Sequence, residues 1–260
     1  MIFVDSHAHL NAEDFDDDRS QVIERALKED IKAILCPAEL TESKNLEVTH
    51  ELIDKFPEIV AAAGVHPHNA DKFHPECIAT MKRMADDKKI FAIGEIGLDF
   101  YYNFSSPEKQ IDIFRSQLNI AQDLNLPVLI HSRDAADEIV RAITEEDFTR
   151  GGVLHCFTEK REFAEKMLER DFLISFSGIL TYPNAQALRD AAIILPLEKI
   201  LIETDSPYLV PSPYRGRIRR NEPVYVKEVA KVLADIRKID LAEIARITTA
   251  NFASLFPFEI

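Results

Sequence analysis

Two histidines near the start of the chain, His7 and His9, are separated by a single residue. In an extended backbone, side chains two residues apart project to the same side, so both imidazoles can reach one metal ion. Imidazole suits ions such as zinc, iron or nickel, whereas carboxylates suit harder ions such as magnesium or manganese. This spacing predicts part of a metal site, although a His-x-His triplet alone has limited specificity.

Four more residues that can bind metal follow or end short apolar runs: Glu95, His131, His155 and Asp205. Four histidines and two carboxylates exceed the needs of one four-coordinate zinc ion, so two divalent ions, of zinc, magnesium or manganese, are favoured. A carboxylate such as Glu95 can bridge two cations that lie about 3.5–4 Å apart. Such a pair activates a water molecule for hydrolysis, and Asp205 can accept its proton. Glu95 and Asp205 are therefore the predicted catalytic residues.

The apolar runs before these residues predict strands of one parallel sheet. Their continuous apolar character is typical of strands that are covered on both faces. Between them, apolar residues recur at three- and four-residue spacing, which predicts helices. The predicted strands are Ile2–Val4, Ala33–Cys36, Ile59–Val65, Phe91–Gly94, Pro127–His131, Gly152–His155, Leu173–Phe176 and Lys199–Glu203.

Eight strand–helix units predict an α/β fold, a (β/α)8 TIM barrel formed as a single domain over residues 1–260. An extra C-terminal helix is predicted over Leu241–Leu255. An open doubly wound sheet is disfavoured, because none of the seven glycines forms a GxGxxG phosphate loop. The C-terminal ends of barrel strands meet at one rim, where active sites lie. Six of the eight histidines fall there, whereas we expect structural roles for His50 and His74.

The formal net charge of −14 argues against a partner held by broad attraction to phosphates. A nucleic-acid substrate would therefore need local positive charge. The cysteines at positions 36, 77 and 156 form no CxxC pair or even-numbered framework, which suits a reducing compartment. No apolar run approaches the roughly 20 residues that span a bilayer, and no signal peptide is evident. We expect a cytoplasmic monomer with no membrane partner.

With these residues in place, the whole chain resembles the TatD family of metal-dependent deoxyribonucleases, within the amidohydrolase-like barrel superfamily. These long motifs are far more specific than a His-x-His triplet. The similar motifs are FVDSHAHL at 3–10, GVHPH at 64–68, GEIGLDFY at 94–101, PVLIHSR at 127–133, ETDSPYL at 203–209, RG at 215–216 and NEP at 221–223.

The resemblance implies a ligand set for each of two ions. His7, His9, Glu95 and Asp205 would bind one ion, and Glu95, His131 and His155 would bind the other. It also implies a deoxyribonuclease of the 3′–5′ exonuclease type, which cleaves single-stranded DNA or 3′ ends through a water activated by two metals. One departure is Glu159, where the family usually has glycine. This residue adds negative charge near the predicted mouth.

Positive charge for a DNA substrate is predicted from arginines near the rim. Residues 213–220 carry four arginines, among them Arg215, and Tyr214 beside them can stack on a base. Arg133 follows His131 and can hold the scissile phosphate. The predicted substrate-binding residues are His66, His68, Tyr101, Arg133 and Arg215. For each of them a structural role is the competing interpretation.

Two other hypotheses remain open from the sequence. The same metal site could serve an amidohydrolase or a deacylase that acts on an ester or amide, such as aminoacyl-tRNA. Many amidohydrolase barrels use a carboxylated lysine to bridge the metals, and Glu95 in its place favours phosphodiester chemistry. The chain could also be a silent scaffold with structural metals. In structural zinc sites, however, protein ligands fill every coordination position. Six ligands on an open rim do not form such a closed site.

Overall fold

A computed structural model describes residues 1–102, 104–212 and 214–256 of the chain. Within these residues, eight parallel strands form one sheet in which each strand pairs with the next along the chain. The strands are β1 Phe3–Asp5, β2 Ile31–Glu39, β3 Ile59–Gly64, β4 Ala92–Asp99, β5 Val128–Arg133, β6 Gly152–Leu154, β7 Phe172–Phe176 and β8 Ile200–Ile202.

A helix follows every strand, as the sequence predicts, and a further helix ends the described chain. The α-helices of the described residues are α1 Arg19–Lys28, α2 Ser43–Lys55, α3 Pro75–Asp86, α4 Pro107–Leu124, α5 Ala136–Glu145, α6 Arg161–Leu168, α7 Gln186–Ile194, α8 Val226–Arg237 and α9 Leu241–Leu255. The predicted C-terminal helix is confirmed as α9. None of the helices in the described ranges has both the length and the apolar character needed to cross a membrane.

The sheet curls until its first and last strands approach each other. The amide of Ser6 donates to the carbonyl of Ile202 at 3.1 Å, and the amide of Asp205 donates to the carbonyl of His7 at 2.9 Å. A parallel bridge between Ala8 and Ser206 extends this contact beyond the strands. The predicted TIM-like barrel is therefore confirmed as a near-closed one. The predicted single domain also includes residues 257–260, which lie outside the described part.

Two apolar layers surround the strands. Alternate strand residues such as Val4, Leu129 and Val153 form a small inner cluster, which Phe252 and Phe256 at the end of α9 also join. The outward residues pack with the helices in a larger cluster. Because α9 contacts β1 and β8 and contributes apolar rings to the barrel interior, it covers the end of the barrel opposite the site described below.

A β-bulge in β4 changes which side chains face the barrel interior. The register with β5 shifts between Ile93 and Ile96, and both isoleucines pack in the outer cluster. One extra residue between them reverses the alternation, because a strand has a side-chain period of two. Glu95 and Asp99 consequently point toward the mouth of the barrel. The prediction that the fourth strand ends at Gly94 was wrong, since β4 continues to Asp99.

The bulged strand approaches β5 so closely at Gly97 that only glycine fits. Its φ is +139°, and a Cβ atom built there would lie 2.0 Å from the carbonyl oxygen of His131. Gly216 also has positive φ, +76°, but nothing lies within 4 Å of its Cβ position.

We predict that Gly97→Ala lowers the free energy of unfolding by at least about 3 kcal/mol, since it adds both strain and a backbone clash. Gly216→Ala adds strain alone and should cost about 1 kcal/mol. Urea denaturation of both variants measures the difference. Equal losses would contradict the close approach of β4 and β5.

Candidate metal centre

Side chains two residues apart on a strand face the same side, and several of the inward-facing rows end in polar residues at the C-terminal mouth of the barrel. In β5 the inward residue Leu129 is followed two positions later by His131 and then by Arg133. In the same way, Val153 of β6 precedes His155, and Leu201 of β8 precedes Glu203. The apolar inner cluster therefore gives way to a layer of imidazoles and carboxylates at one end of the barrel.

One cluster joins the segments after β1 and β8 to Glu95. The Nε2 atoms of His7 and His9 lie 3.0 Å apart. Glu95 Oε2 lies 3.4 Å from the first nitrogen and 3.7 Å from the second. Asp205 Oδ1 lies 3.8 Å and 3.4 Å from the same two nitrogens. Four predicted ligands thus direct four donor atoms at one point.

These distances suit a tetrahedral cation site. Ligand atoms at about 2.1 Å from a tetrahedral ion such as zinc are separated from one another by about 3.4 Å. The five distances among the donor atoms of His7, His9, Glu95 and Asp205 lie between 3.0 and 3.8 Å. The residues present therefore fit a divalent ion in spacing as well as in donor chemistry.

A second cluster surrounds the other oxygen of Glu95. His155 Nε2 lies 2.8 Å from Glu95 Oε1, His131 Nδ1 lies 3.1 Å from it, and His66 Nε2 lies 3.3 Å from it. A carboxylate oxygen has two lone pairs, so three nitrogens around one oxygen exceed ordinary hydrogen bonding. A cation among these groups satisfies them better. His66, predicted as a substrate contact, lies almost as close to Glu95 as His131 does.

The electrostatics of the site favour positive charge near Glu95. Burial would raise the pKa of Glu95, but nearby His155, His66 and His7 lower that pKa well below its usual range. Burial likewise would lower the pKa of His155, yet the charge of Glu95 and the proximity of Glu203 raise it. The field that favours a proton on His155 also favours a metal cation between these groups.

Asp99 is a residue of the site that the sequence analysis missed. Its Oδ2 atom lies 2.8 Å from His68 Nε2 and 3.1 Å from His131 Nε2, and its Oδ1 atom accepts from the amides of Tyr101 and Tyr102. Burial would raise the pKa of Asp99, but these hydrogen bonds hold it well below its usual range. The signal was its position four residues after Glu95, at the end of a strand whose bulge was not predicted.

Glu203 was also missed as a site residue. It is fully buried, accepts a hydrogen bond from the amide of Cys156 at 2.8 Å, and has Oε1 3.4 Å from His155 Nδ1. Among the described residues, its Oε2 atom and His7 Nδ1 are buried with no hydrogen-bond partner. Glu203 therefore places a carboxyl group directly behind His155. Glu203 precedes Asp205 by two residues on the same extended segment. This spacing, which places both side chains on one side, was the sequence signal for Glu203.

An open cavity of about 1110 Å³ lies over both clusters. Its lining includes His9, His66, His131, Asp205 and Arg133.

The wall of the cavity at Arg133 is aromatic. The guanidinium carbon of Arg133 lies 4.1 Å from the ring centroid of Tyr101 and 4.7 Å from that of Tyr102. The structure therefore places the predicted substrate residue Tyr101 against Arg133, with the guanidinium over one face of its ring. The pair holds a positive charge at the mouth.

The arginine-rich segment is divided between two roles. Arg220 donates to Asp18 at 2.6 Å and stabilises the fold. Arg215 is exposed and lies 4.2 Å from the ring of Tyr182, outside the residues that line the cavity. Pro213, the first residue of the predicted segment, lies outside the described residues. Glu159 accepts a hydrogen bond from Ser132 at 3.4 Å, and burial raises its pKa.

Comparisons with known proteins agree with this fold. The sequence model of the TatD-related DNase family matches residues 4–257. The chain is 40% identical to the uncharacterized metal-dependent hydrolase YabD of Bacillus subtilis over 257 residues, covering 98% of this chain and 99% of the relative. It is 36% identical to the 3′-5′ ssDNA/RNA exonuclease TatD of Erwinia billingiae over 257 residues, covering 97% and 98%.

Among solved structures, YJJV, a TatD homolog from Escherichia coli K12, superposes with a TM-score of 0.91. It is 30% identical, and the match covers 99% of this chain and 98% of that chain. The organophosphorus hydrolase of Deinococcus radiodurans shares the fold at a TM-score of 0.68 and 12% identity.

A near-closed eight-stranded barrel with histidine–carboxylate clusters at its mouth defines a metal-dependent hydrolase of amidohydrolase-like fold. Within that class, the chain belongs to the TatD family.

Metal binding to these clusters should stabilise the folded chain. At a free ion concentration about 1,000 times Kd, a ligand adds about 4 kcal/mol to the free energy of unfolding, which raises the Tm by roughly 10 °C. We predict this rise when manganese or zinc is added to chelator-treated protein. His7→Ala should lose most of it, whereas His74→Ala, at an exposed residue before α3, should retain it. An unchanged Tm for the wild type would contradict a metal centre.

Proposed function

We propose that this chain is a two-metal phosphodiesterase that removes nucleotides from the 3′ ends of single-stranded DNA. The observation that carries the proposal is Glu95, whose two oxygens face separate histidine clusters beneath a cavity that also holds Arg133. The Erwinia billingiae relative is named a 3′-5′ ssDNA/RNA exonuclease, which supports the choice of substrate.

The proposed ligand sets follow the two clusters. His7, His9, Glu95 and Asp205 would hold one ion, and Glu95, His131 and His155 would hold the other. Zinc, magnesium and manganese all suit this mixture of imidazole and carboxylate donors. When bound, the ions supply Lewis acidity, which acidifies water and stabilises negative charge on the phosphate and on the departing oxygen.

Asp205 is the proposed proton acceptor. It lines the cavity with 14% of its side chain exposed, so a water in the cavity can reach it. Burial would raise its pKa, but the hydrogen bond from His9 and the neighbouring imidazoles lower it, so the carboxylate is ionised at neutral pH. Glu95 is more deeply buried and serves as the bridge that fixes the distance between the two clusters.

Substrate positioning is assigned to residues around these clusters. Arg133, supported on Tyr101, would hold a non-bridging oxygen of the scissile phosphate through charge-assisted hydrogen bonds. His68 would contact the leaving group, and His66 would either do the same or complete the second cluster. Arg215, farther out, would contact a phosphate distant from the cleaved bond. Arg133 and the two ions would supply local positive charge in a chain with a net charge of −14.

The decisive experiment is cleavage of 5′-labelled single-stranded DNA by chelator-treated protein supplied with magnesium, manganese or zinc. We expect metal-dependent shortening from the 3′ end. Asp205→Asn should lower kcat at least about 100-fold, since general-base catalysis contributes at least that factor. His50→Ala, at a histidine in α2, is the matched control and should leave kcat unchanged.

Protein that binds two ions but cleaves no DNA would refute the nuclease. An ester or amide substrate, such as aminoacyl-tRNA, would then be tested with the same variants.

Asp99 is proposed as a positioning residue for His131. A neutral imidazole carries one N–H and one lone pair, so donation from His131 Nε2 to Asp99 turns the Nδ1 lone pair toward Glu95. Asp99→Asn should weaken binding of one ion about 10- to 100-fold and leave the other nearly unchanged. Competition with a chromophoric chelator measures both affinities. Asp123→Asn, at an exposed residue of α4, is the control. If Asp99→Asn binds both ions as tightly as Asp123→Asn does, Asp99 does not position His131.

A further inference from the structure

Exposed aromatic side chains are concentrated at the mouth of the barrel. Seven large hydrophobic residues are exposed in the described ranges, and the four aromatic ones all lie on the segments that follow β4 and β8. Two of the four, Tyr101 and Tyr102, each have one ring face in contact with the Arg133 guanidinium. The other two, Phe104 and Tyr208, expose 66% and 56% of their surface and have no role in the site described above.

Phe104 and Tyr208 flank the metal centre from opposite sides. Strands β4 and β8 are four positions apart in an eight-stranded, near-closed barrel, so the segments that follow them face each other across the mouth. The ring of Phe104 lies 4.9 Å from that of His68, and the ring of Tyr208 lies 6.0 Å from that of His9. Phe104 therefore lies on the His68 side of the centre, and Tyr208 lies on the His9 side.

Packing fixes the orientation of Phe104 although most of its surface is exposed. Its ring stacks at 25° on Tyr102, with the centroids 5.6 Å apart, and Tyr102 is in turn held by Arg133. Tyr208 lines the cavity directly, and its amide donates to the carbonyl of Asp205 at 2.9 Å. Stacking on Tyr102 thus orients the Phe104 ring, and the hydrogen bond fixes the backbone that carries the Tyr208 ring. Such pre-organisation lowers the entropy cost when a flat ligand stacks on them.

We propose that Phe104 and Tyr208 are stacking sites for the two nucleobases that flank the scissile phosphate. This inference rests on the proposed nuclease function and adds its base-binding sites. Every nucleobase has a π face, so stacking tolerates any sequence but requires unpaired bases. Stacking also needs no positive charge, which suits a chain with a net charge of −14. The two sites select single-stranded over duplex substrate.

The kinetic test compares Phe104→Ala and Tyr208→Ala with the wild type on a short single-stranded oligonucleotide. Each variant should raise KM about tenfold, with a smaller change in kcat, because base–aromatic stacking contributes to binding. Tyr208→Phe keeps the ring and should recover most of the lost affinity. Ile194→Ala, at a residue of α7 with 53% exposure, is the matched control away from the mouth.

Abasic substrates identify the contact itself. Removing the base from the terminal or the penultimate nucleotide should raise the KM of the wild type about tenfold. In the variant that lacks the corresponding ring, the same removal should raise KM less than twofold. If base removal raises KM by the same factor in the wild type and in every ring variant, ring and base act independently and the proposal is overturned. An unchanged KM in both alanine variants would also overturn it.

A fluorescence measurement separates this proposal from the nuclease itself. The chain contains no tryptophan, so Phe104→Trp in an Asp205→Asn background introduces a single indole. A thymidine trinucleotide should quench its emission saturably, and the same oligomer with abasic residues should not. No quenching by either oligomer overturns the stacking site even if the wild type cleaves DNA. Quenching by the thymidine trinucleotide alone supports the stacking site. Absence of any cleavage refutes only the nuclease.

Discussion

The rest of the site depends on the contacts between the Glu95 carboxylate and the histidines on either side of it. Its Oε2 atom faces His7 and His9, and its Oε1 atom faces His66, His131 and His155. A charged group this deeply buried is costly unless opposite charge or hydrogen bonds compensate it. Each of its neighbours presents a nitrogen that is better satisfied by a shared cation than by a direct contact. Glu95 therefore holds the two clusters at a fixed separation, and its removal would leave the imidazoles without a common partner.

The fold supplies this arrangement through strand geometry. The period of two places His131 and His155 above inner apolar residues, while the bulge in β4 turns Glu95 and Asp99 inward together. Gly97 allows the bulged strand to approach β5. At the opposite end, the aromatic rings of Phe252 and Phe256, at the end of α9, pack into the barrel interior. Among the described residues that line the cavity over Glu95, Arg133 is the one lysine or arginine.

Much of this architecture could be predicted from sequence because it depends on local periodicity. Continuous apolar runs indicated the eight strands, and metal-binding residues at their ends indicated the rim. The bulge depends on pairing between β4 and β5, so neither its position nor the inward turn of Asp99 could be predicted from one strand alone. The packing of Arg133 on Tyr101 and the exposure of Phe104 likewise depend on contacts between distant segments. Arg215, selected for its charge, does not line the cavity and lies over the ring of Tyr182.

The most direct test of this account is the position of bound metal. Crystals of the protein grown with manganese would be examined by anomalous X-ray scattering. We expect two peaks, one on each side of the Glu95 carboxylate, the first within bonding distance of His7 and His9 and the second within bonding distance of His131 and His155. A single peak, or peaks that lack Glu95 as a shared ligand, would contradict a bridged two-metal centre.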